Sequence, residues 1–212
     1  MLDYLVVDDV VTPETFVPFQ EFFMSPRPRW TLDQKVVLED NHGVKDPNQP
    51  RDVAGNFQGN IRLFDDVLQH LYRPHIFGMD GNQFECRLDL FAPVVHQLFQ
   101  ILDPLAVVRI KLNVTFNTHE VLVSPMHLDC VGKGNEYDQM CNACFYLNTC
   151  DGYTLFDNKN KDKVTSKANR LVYFSNRMFH AGTTTTDASA RYVMNINYIP
   201  KNNCPRHQQL FD

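Results

Sequence analysis

The spacing of hydrophobic positions changes once along the chain, near Pro104. Before it, apolar residues recur every three or four positions. Leu90, Val94, Leu98 and Leu102 predict a helix over 89–102, and Leu63, Val67 and Leu71 predict another over 61–73. The opening "YLVVDDVVTPETFVPFQEFF" reads as a short strand followed by a helix. Thr12 can serve as its N-cap and Pro13 stands at the first helical position. "SPRPRWTL" then ends that helix by proline. Residues 41–60, "NHGVKDPNQPRDVAGNFQGN", are polar and without period, which predicts a long loop. Loops of this length in a domain are usually functional, so 41–60 is expected to be a lid or a substrate-binding segment.

Beyond Pro104, "VVRIKLNVTFN" alternates strictly. Val108, Ile110, Leu112, Val114 and Phe116 lie on one face, and Arg109, Lys111, Asn113, Thr115 and Asn117 on the other. That is a strand. More strands are expected around 126–130 and in "NACFYLN", "YTLFD", "NRLVYFS" and "RYVMNINYI", with no helical period between them. Helices first and strands afterwards suggest a mostly β molecule, a sandwich or barrel with helices packed outside. No repeat, linker or low-complexity tract divides it. One domain over 1–212 is expected, with strand, helices and loop in 1–104 and the β core in 105–200.

Composition narrows the classes. Hydrophobic residues at 43% and aromatics at 12% describe an ordinary globular chain. A net charge of −5 argues against gripping duplex phosphates, so nucleic acid is not the expected partner. The basic run "NKNKDKVTSK", 158–167, is expected to be a solvated turn. No apolar run reaches about 18 residues, so no membrane span is expected. The start has no basic region ahead of its apolar stretch, so no signal peptide is expected either. Six cysteines, Cys86, Cys130, Cys141, Cys144, Cys150 and Cys204, then suggest reduced thiols in the cytoplasm. Cys141-x-x-Cys144 raises structural zinc; buried free thiols are the alternative, and the outer spacings match no common zinc pattern.

The chemistry centres on "SPMHLDC". With 8 His and 19 Asp, roughly 0.7 His-x-Asp matches arise by chance, so His127-x-Asp129 carries no weight alone. Its setting carries more. It follows a long strand at a rim position, and "LVYFSNRMFHAG" brings His180 to the next rim. Two imidazoles and one carboxylate form a facial triad that suits Fe(II) and leaves three positions open. Arg191 begins the largely apolar strand "RYVMNINY" and must reach water or find an anion. A small-molecule carboxylate would pair with its planar guanidinium. Single histidines at other places are more often surface or hydrogen-bonded residues, and His42, His70, His75, His96, His119 and His207 receive no role. Trp30 could stack a substrate or fill the core.

These residues resemble the signature of the 2-oxoglutarate/Fe(II)-dependent oxygenases, and within them the prolyl-hydroxylase-like branch. The likeness lies in "HLD" at 127–129, His180, "RY" at 191–192, "ACFYLN", "DGYTLFD" and "NRLVYFSNRMFHAG". It covers about 107–199. The resemblance implies a double-stranded β-helix (jelly roll) core packed against the N-terminal helices. It implies Fe(II) held by His127, Asp129 and His180. The distal carboxylate of 2-oxoglutarate would be bound by Arg191, with Tyr146 hydrogen-bonding it from the facing strand, and Asn195 would lie near the cosubstrate. Many collagen-type members have Lys where Arg191 stands. The position ten before His127, a tyrosine in some members, is Asn117 here.

The reaction so implied is oxidative decarboxylation of 2-oxoglutarate coupled to hydroxylation of a substrate C–H, with ascorbate as a possible reductant. A protein or peptide side chain, proline first, is the expected substrate. The same chemistry on a small molecule or nucleobase, or a non-catalytic cupin-like metal-binding module, are the alternatives.

Overall fold

The computed structural model describes residues 4–28, 31–33, 70–73, 88–130 and 139–202, with the backbone alone for 31–33, 70–73 and residue 88. The expected loop at 41–60, Trp30, Cys86 and Cys204 lie outside them. The elements run β1 (Tyr4–Asp8), α1 (Pro13–Phe23), β2 (Thr31–Asp33), β3 (His70–Arg73), α2 (Leu88–Leu102) and β4 (Pro104–Phe116). There follow β5 (Cys141–Tyr146), β6 (Tyr153–Phe156), β7 (Lys163–Thr165), β8 (Arg170–Ser175), β9 (His180–Gly182) and β10 (Ala190–Pro200).

The strands form a seven-stranded sheet, ordered β1-β8-β5-β10-β4-β3-β2, and a three-stranded sheet, ordered β7-β6-β9. Every strand pair is antiparallel. The described residues are therefore mostly β, with two helices, and the strands follow the change of period at Pro104; residues 61–69 of the expected second helix lie outside them. No helix among the described residues is long and apolar enough to cross a membrane.

Alternation decides what each face of the large sheet meets. Ile110 and Leu112 of β4, Phe145 of β5 and Met194 and Ile196 of β10 join a core with Phe19 and Phe23 of α1 and Val94 and Leu98 of α2. The helices thus cover the outer face. Each fully buried Phe or Leu there contributes about 1.5–3 kcal/mol of transfer free energy. The polar positions of β4 consequently turn to the other face, toward the smaller sheet. There Cys144, Tyr146, Phe156, Val172, Phe174 and Val193 build a second, smaller core.

Four expectations need correction. Residues 70–73, the end of the expected second helix, are β3 and pair with β4; β propensity in "HLYR" and a free sheet edge outweigh the helical spacing. Residues 126–130 form no strand, only a single bridge from His127 to His180. The basic run 158–167 contains β7, whose Val164 is buried. Val108, expected on the core face, is 39% exposed. Asn197 pairs with Arg109 and Tyr198 with Val107, so the register slips by one residue and Val108 is the extra one.

Candidate metal centre

β9 and the segment before Cys130 supply three convergent side chains. His127 Nε2 lies 3.6 Å from Asp129 Oδ1, and His180 Nε2 lies 3.8 Å from Asp129 Oδ2. The ligand atoms of the three residues all lie within 4.8 Å of one another, a group that could hold one metal ion. Each ring is turned by its other nitrogen. His127 Nδ1 lies 3.0 Å from the Pro125 carbonyl oxygen and His180 Nδ1 lies 3.2 Å from that of Met178. A carbonyl oxygen only accepts, so Nδ1 carries the proton in both rings and Nε2 is left as a lone-pair donor.

The setting suits a cation. The side chains of Asp129 and His180 are 6% and 4% exposed, and that of His127 is 15% exposed, so the group opens on the His127 side. Burial would raise the Asp129 carboxyl, but the contacts with His127 and His180 and the charge of the Arg109 guanidinium hold it well below the usual carboxylate range. Burial pushes the His180 imidazole down to about 4, against the pull of Asp129, so it is neutral at pH 7, the form that binds metal. Behind His180, Phe174 packs edge-on at 4.8 Å between centroids, with Phe156 and Tyr4 beyond it. That wall keeps water from one side.

A second polar group lies on the same inner face. Arg191 is 4% exposed. Its Nε donates to Ser166 Oγ at 2.7 Å and its Nη2 to Thr154 Oγ1 at 3.1 Å, and the guanidinium sits 5.3 Å from the Tyr146 ring centroid. Tyr146, fully buried, donates its hydroxyl to the same Thr154 oxygen at 2.8 Å. No carboxylate among the described residues pairs with Arg191, and a buried unpaired cation is costly. Gly152 makes room for it: a Cβ there would stand 2.6 Å from Arg191 Cδ and 2.7 Å from the Thr184 carbonyl oxygen. Cys144 lies between the two groups and feels both, its thiol pushed up to about 12 by burial and by Asp129, against Arg191.

The expected residues fall out as follows. His127, Asp129 and His180 come together, and Arg191 and Tyr146 meet at Thr154. Tyr146 does so from β5, the neighbour of β10, rather than from a facing strand. Asn195 stands on the inner face between Cys144 and Lys111, half-buried. His119 is a surface residue beside Glu120. Cys141 and Cys144, three apart on β5, enter opposite cores and cannot share one zinc; neither is in a disulfide. Sequence reasoning missed Ser166, Thr154, Arg109 and Asn197. The signal for the last two was the alternation itself, which sets their polar side chains opposite the apolar face.

No family model matches the chain, and no curated protein does. Its fold is found in solved structures. A prolyl hydroxylase from Trichoplax adhaerens, in complex with a peptide fragment of the hypoxia inducible factor oxygen degradation domain, is 14% identical. The match covers 99% of this chain and 87% of that one, at a TM-score of 0.53. HygX from Streptomyces hygroscopicus, with nickel and 2-oxoglutarate bound, is 13% identical over 94% of this chain and 83% of its own, at 0.53. The viral collagen prolyl hydroxylase vCPH of Paramecium Bursaria Chlorella virus-1, in complex with 2-oxoglutarate, is 12% identical over 93% and 97%, at 0.52. At these identities the likeness is one of fold.

Proposed function

We propose that this chain is an Fe(II)- and 2-oxoglutarate-dependent dioxygenase that hydroxylates a substrate C–H. The two sheets are read as the layers of a double-stranded β-helix, and residues 1–212 as one domain. One observation carries the reading. Two Nε2 lone pairs and a carboxylate converge within 4.8 Å, on a face that also holds a buried guanidinium with no carboxylate partner among the described residues.

The residues fit both groups. His127, Asp129 and His180 offer the nitrogen and oxygen donors that suit Fe(II). Arg191 offers the planar donor fork that suits a carboxylate, with Tyr146 and Thr154 as hydroxyl neighbours. Bound together, iron and 2-oxoglutarate supply an oxidant from dioxygen while the oxo acid is converted to succinate and carbon dioxide. The chain's own part is positional. Nδ1–H of each histidine fixes its tautomer, Phe174 and Phe156 exclude water behind the ligands, and Gly152 lets the Arg191 side chain lie in its slot.

The first substrate class is a protein or peptide side chain, prolyl before others. What supports it is the peptide held by the Trichoplax relative in this fold and the opening of the group beside His127. The test is succinate formation from 2-oxoglutarate with Fe(II) and ascorbate, and a mass-spectrometric screen of proline-containing peptides for gain of one oxygen. Succinate release that depends on iron and is lost in His180→Ala is the expected result. Release unchanged in His180→Ala would refute the assignment. Oxygen gained only by small molecules or nucleobases would move the substrate class.

A further inference from the structure

Asp129 is held by more than the two histidines. Asn197 donates from Nδ2 to Asp129 Oδ2 at 3.0 Å, and the Arg109 guanidinium stands 3.6 Å from Asp129 Oδ1. Asn197 is in turn fixed at every polar atom. Its Oδ1 accepts from Arg109 Nε at 2.7 Å, and its Nδ2 also donates to Asn142 Oδ1 at 2.8 Å. The orientation of this amide is determined, because the reverse would set its NH2 against a guanidinium that can only donate. The three residues form one row across the sheet, Asn142 on β5, Asn197 on β10 and Arg109 on β4, directly paired in register. Alternation along β10 sets Asn197 on the inner face and Tyr198 on the outer, and both are buried. Asn142 and Asn197 are completely buried, and Asn142 Nδ2 has no hydrogen-bond partner among the described residues.

Burying two amides and part of a guanidinium has a desolvation cost, and an apolar row could fill the same volume without it. The row meets the candidate metal ligands at Asp129. A carboxylate has two oxygens; one committed to an amide N–H leaves the other for a cation, in one rotamer. Resting on the metal assignment above, we propose that Asn197, clamped by Arg109 and Asn142, is a positioning residue for Asp129 as a metal ligand. It keeps the carboxylate turned toward Nε2 of both histidines and commits one oxygen away from the ion.

Partners of ligands of this kind typically contribute 10- to 100-fold in metal affinity. Cobalt(II) is the probe, followed by calorimetry and by its visible absorption, on the whole chain without 2-oxoglutarate. Asn197→Leu, close in shape and without donors, is expected to weaken cobalt binding about 10- to 100-fold and to alter the absorption bands. Arg109→Met, on a side chain 25% exposed, is expected to weaken it about 3- to 10-fold, with Arg109→Lys in between. A residue of purely structural importance would lower the melting temperature of the metal-free protein and leave cobalt affinity of the folded protein unchanged. Affinity within twofold of the parent in both Asn197→Leu and Arg109→Met overturns the proposal. Should Asn197→Leu fail to fold, Arg109→Met decides alone. A parent chain that binds no cobalt, or a His180→Ala variant that binds it equally well, overturns the metal assignment and this proposal with it. Loss in His180→Ala with no change in the other two overturns only this one.

Discussion

His127 and His180 exchange both of their backbone hydrogen bonds: N–H of His127 donates to the His180 carbonyl at 2.9 Å, and N–H of His180 donates back at 3.1 Å. This is one closed antiparallel pair between a strand and a segment that is otherwise not a strand. It brings the two imidazole centroids to 4.6 Å. The group is thus assembled by the backbone, and an ion that binds it adds stability to a fold already made. At a metal concentration of about 100 times its dissociation constant, the gain is about 2.7 kcal/mol. For a chain of this size that is a rise of about 5–10 °C in melting temperature. His180→Ala keeps the backbone pair, so it should fold and show no such rise. Thermal melts with manganese, and again with a chelator, measure both; a rise equal in the variant would place the ion elsewhere.

Gly152 offers a way to disturb Arg191 without touching it. An alanine there pushes a methyl group against Arg191 Cδ on one side and against a backbone carbonyl on the other, and only the arginine can give way. Gly152→Ala is expected to weaken 2-oxoglutarate binding to the metal-loaded protein about tenfold and to lower stability by about 1–3 kcal/mol. Arg191→Met should weaken binding further. Titration with 2-oxoglutarate, beside urea denaturation, separates the two effects. Full affinity in Gly152→Ala despite lost stability would mean that Arg191 does not read the carboxylate.

Much of this was legible in the sequence for a definite reason. Period 2 in 107–117 and period 3.6 in 89–102 report burial on one side, and both elements form where the pattern sets them. That His127, Asp129 and His180 come together was legible because they fall near the ends of apolar runs, where a side chain leaves the core. The row of Arg109, Asn142 and Asn197 was not. Polar residues on the far face of an alternating strand usually meet water, and nothing local says that a second sheet covers them. The register slip at Val108 was hidden too, since one extra residue in a strand depends on its partner and not on its own sequence. In "TTTTD", 183–187, Thr183, Thr184 and Thr185 are buried, with hydroxyls spent on Tyr153, Leu122 and Asp151. Threonine's methyl and hydroxyl serve a core and a turn equally well, so composition alone could not choose.

Asn169 joins the start of the chain to the sheet. Its φ is 63°, in the left-handed region that asparagine tolerates better than most residues. Its side chain makes a two-way pair with buried Val11, accepting from the backbone N–H at 3.0 Å and donating to the carbonyl at 2.7 Å. Asn169→Ala leaves both Val11 groups unsatisfied and adds backbone strain, for an expected loss of about 3–5 kcal/mol. Asn169→Gly removes the bonds but not the fit to a positive φ, and should recover about 1 kcal/mol of that loss. Chemical denaturation of the pair measures it. Equal stability in the two variants would show that the backbone there relaxes.

Asp8 contributes to acid stability through its ion pairs with Arg170 and Lys167 at the edge of the large sheet. Its Oδ1 accepts from Arg170 Nε at 2.6 Å, and its Oδ2 from Arg170 Nη2 and Lys167 Nζ, each at 3.0 Å. The hydrogen bonds from Arg170, ahead of the opposing effect of burial and the help of Lys167, lower its carboxyl to about 2. The unfolded chain should take up this proton near the ordinary value of about 3.9. Between about pH 4 and pH 2 the unfolded state therefore binds a proton that the folded state does not. The contribution is fully present above that window and is lost as pH falls through it. Because Asp8 is 35% exposed, solvent screening limits the pair to about 1 kcal/mol. Other carboxylates titrate over the same range, so the quantity to follow is the difference between the parent and Asp8→Asn in urea denaturation. It should stand near its full value at about pH 5, shrink toward zero by about pH 2, and be smaller throughout in high salt. A difference that stays constant with pH would mean that the asparagine loses packing or hydrogen bonding rather than charge, and that β1 is held to β8 by its ladder alone.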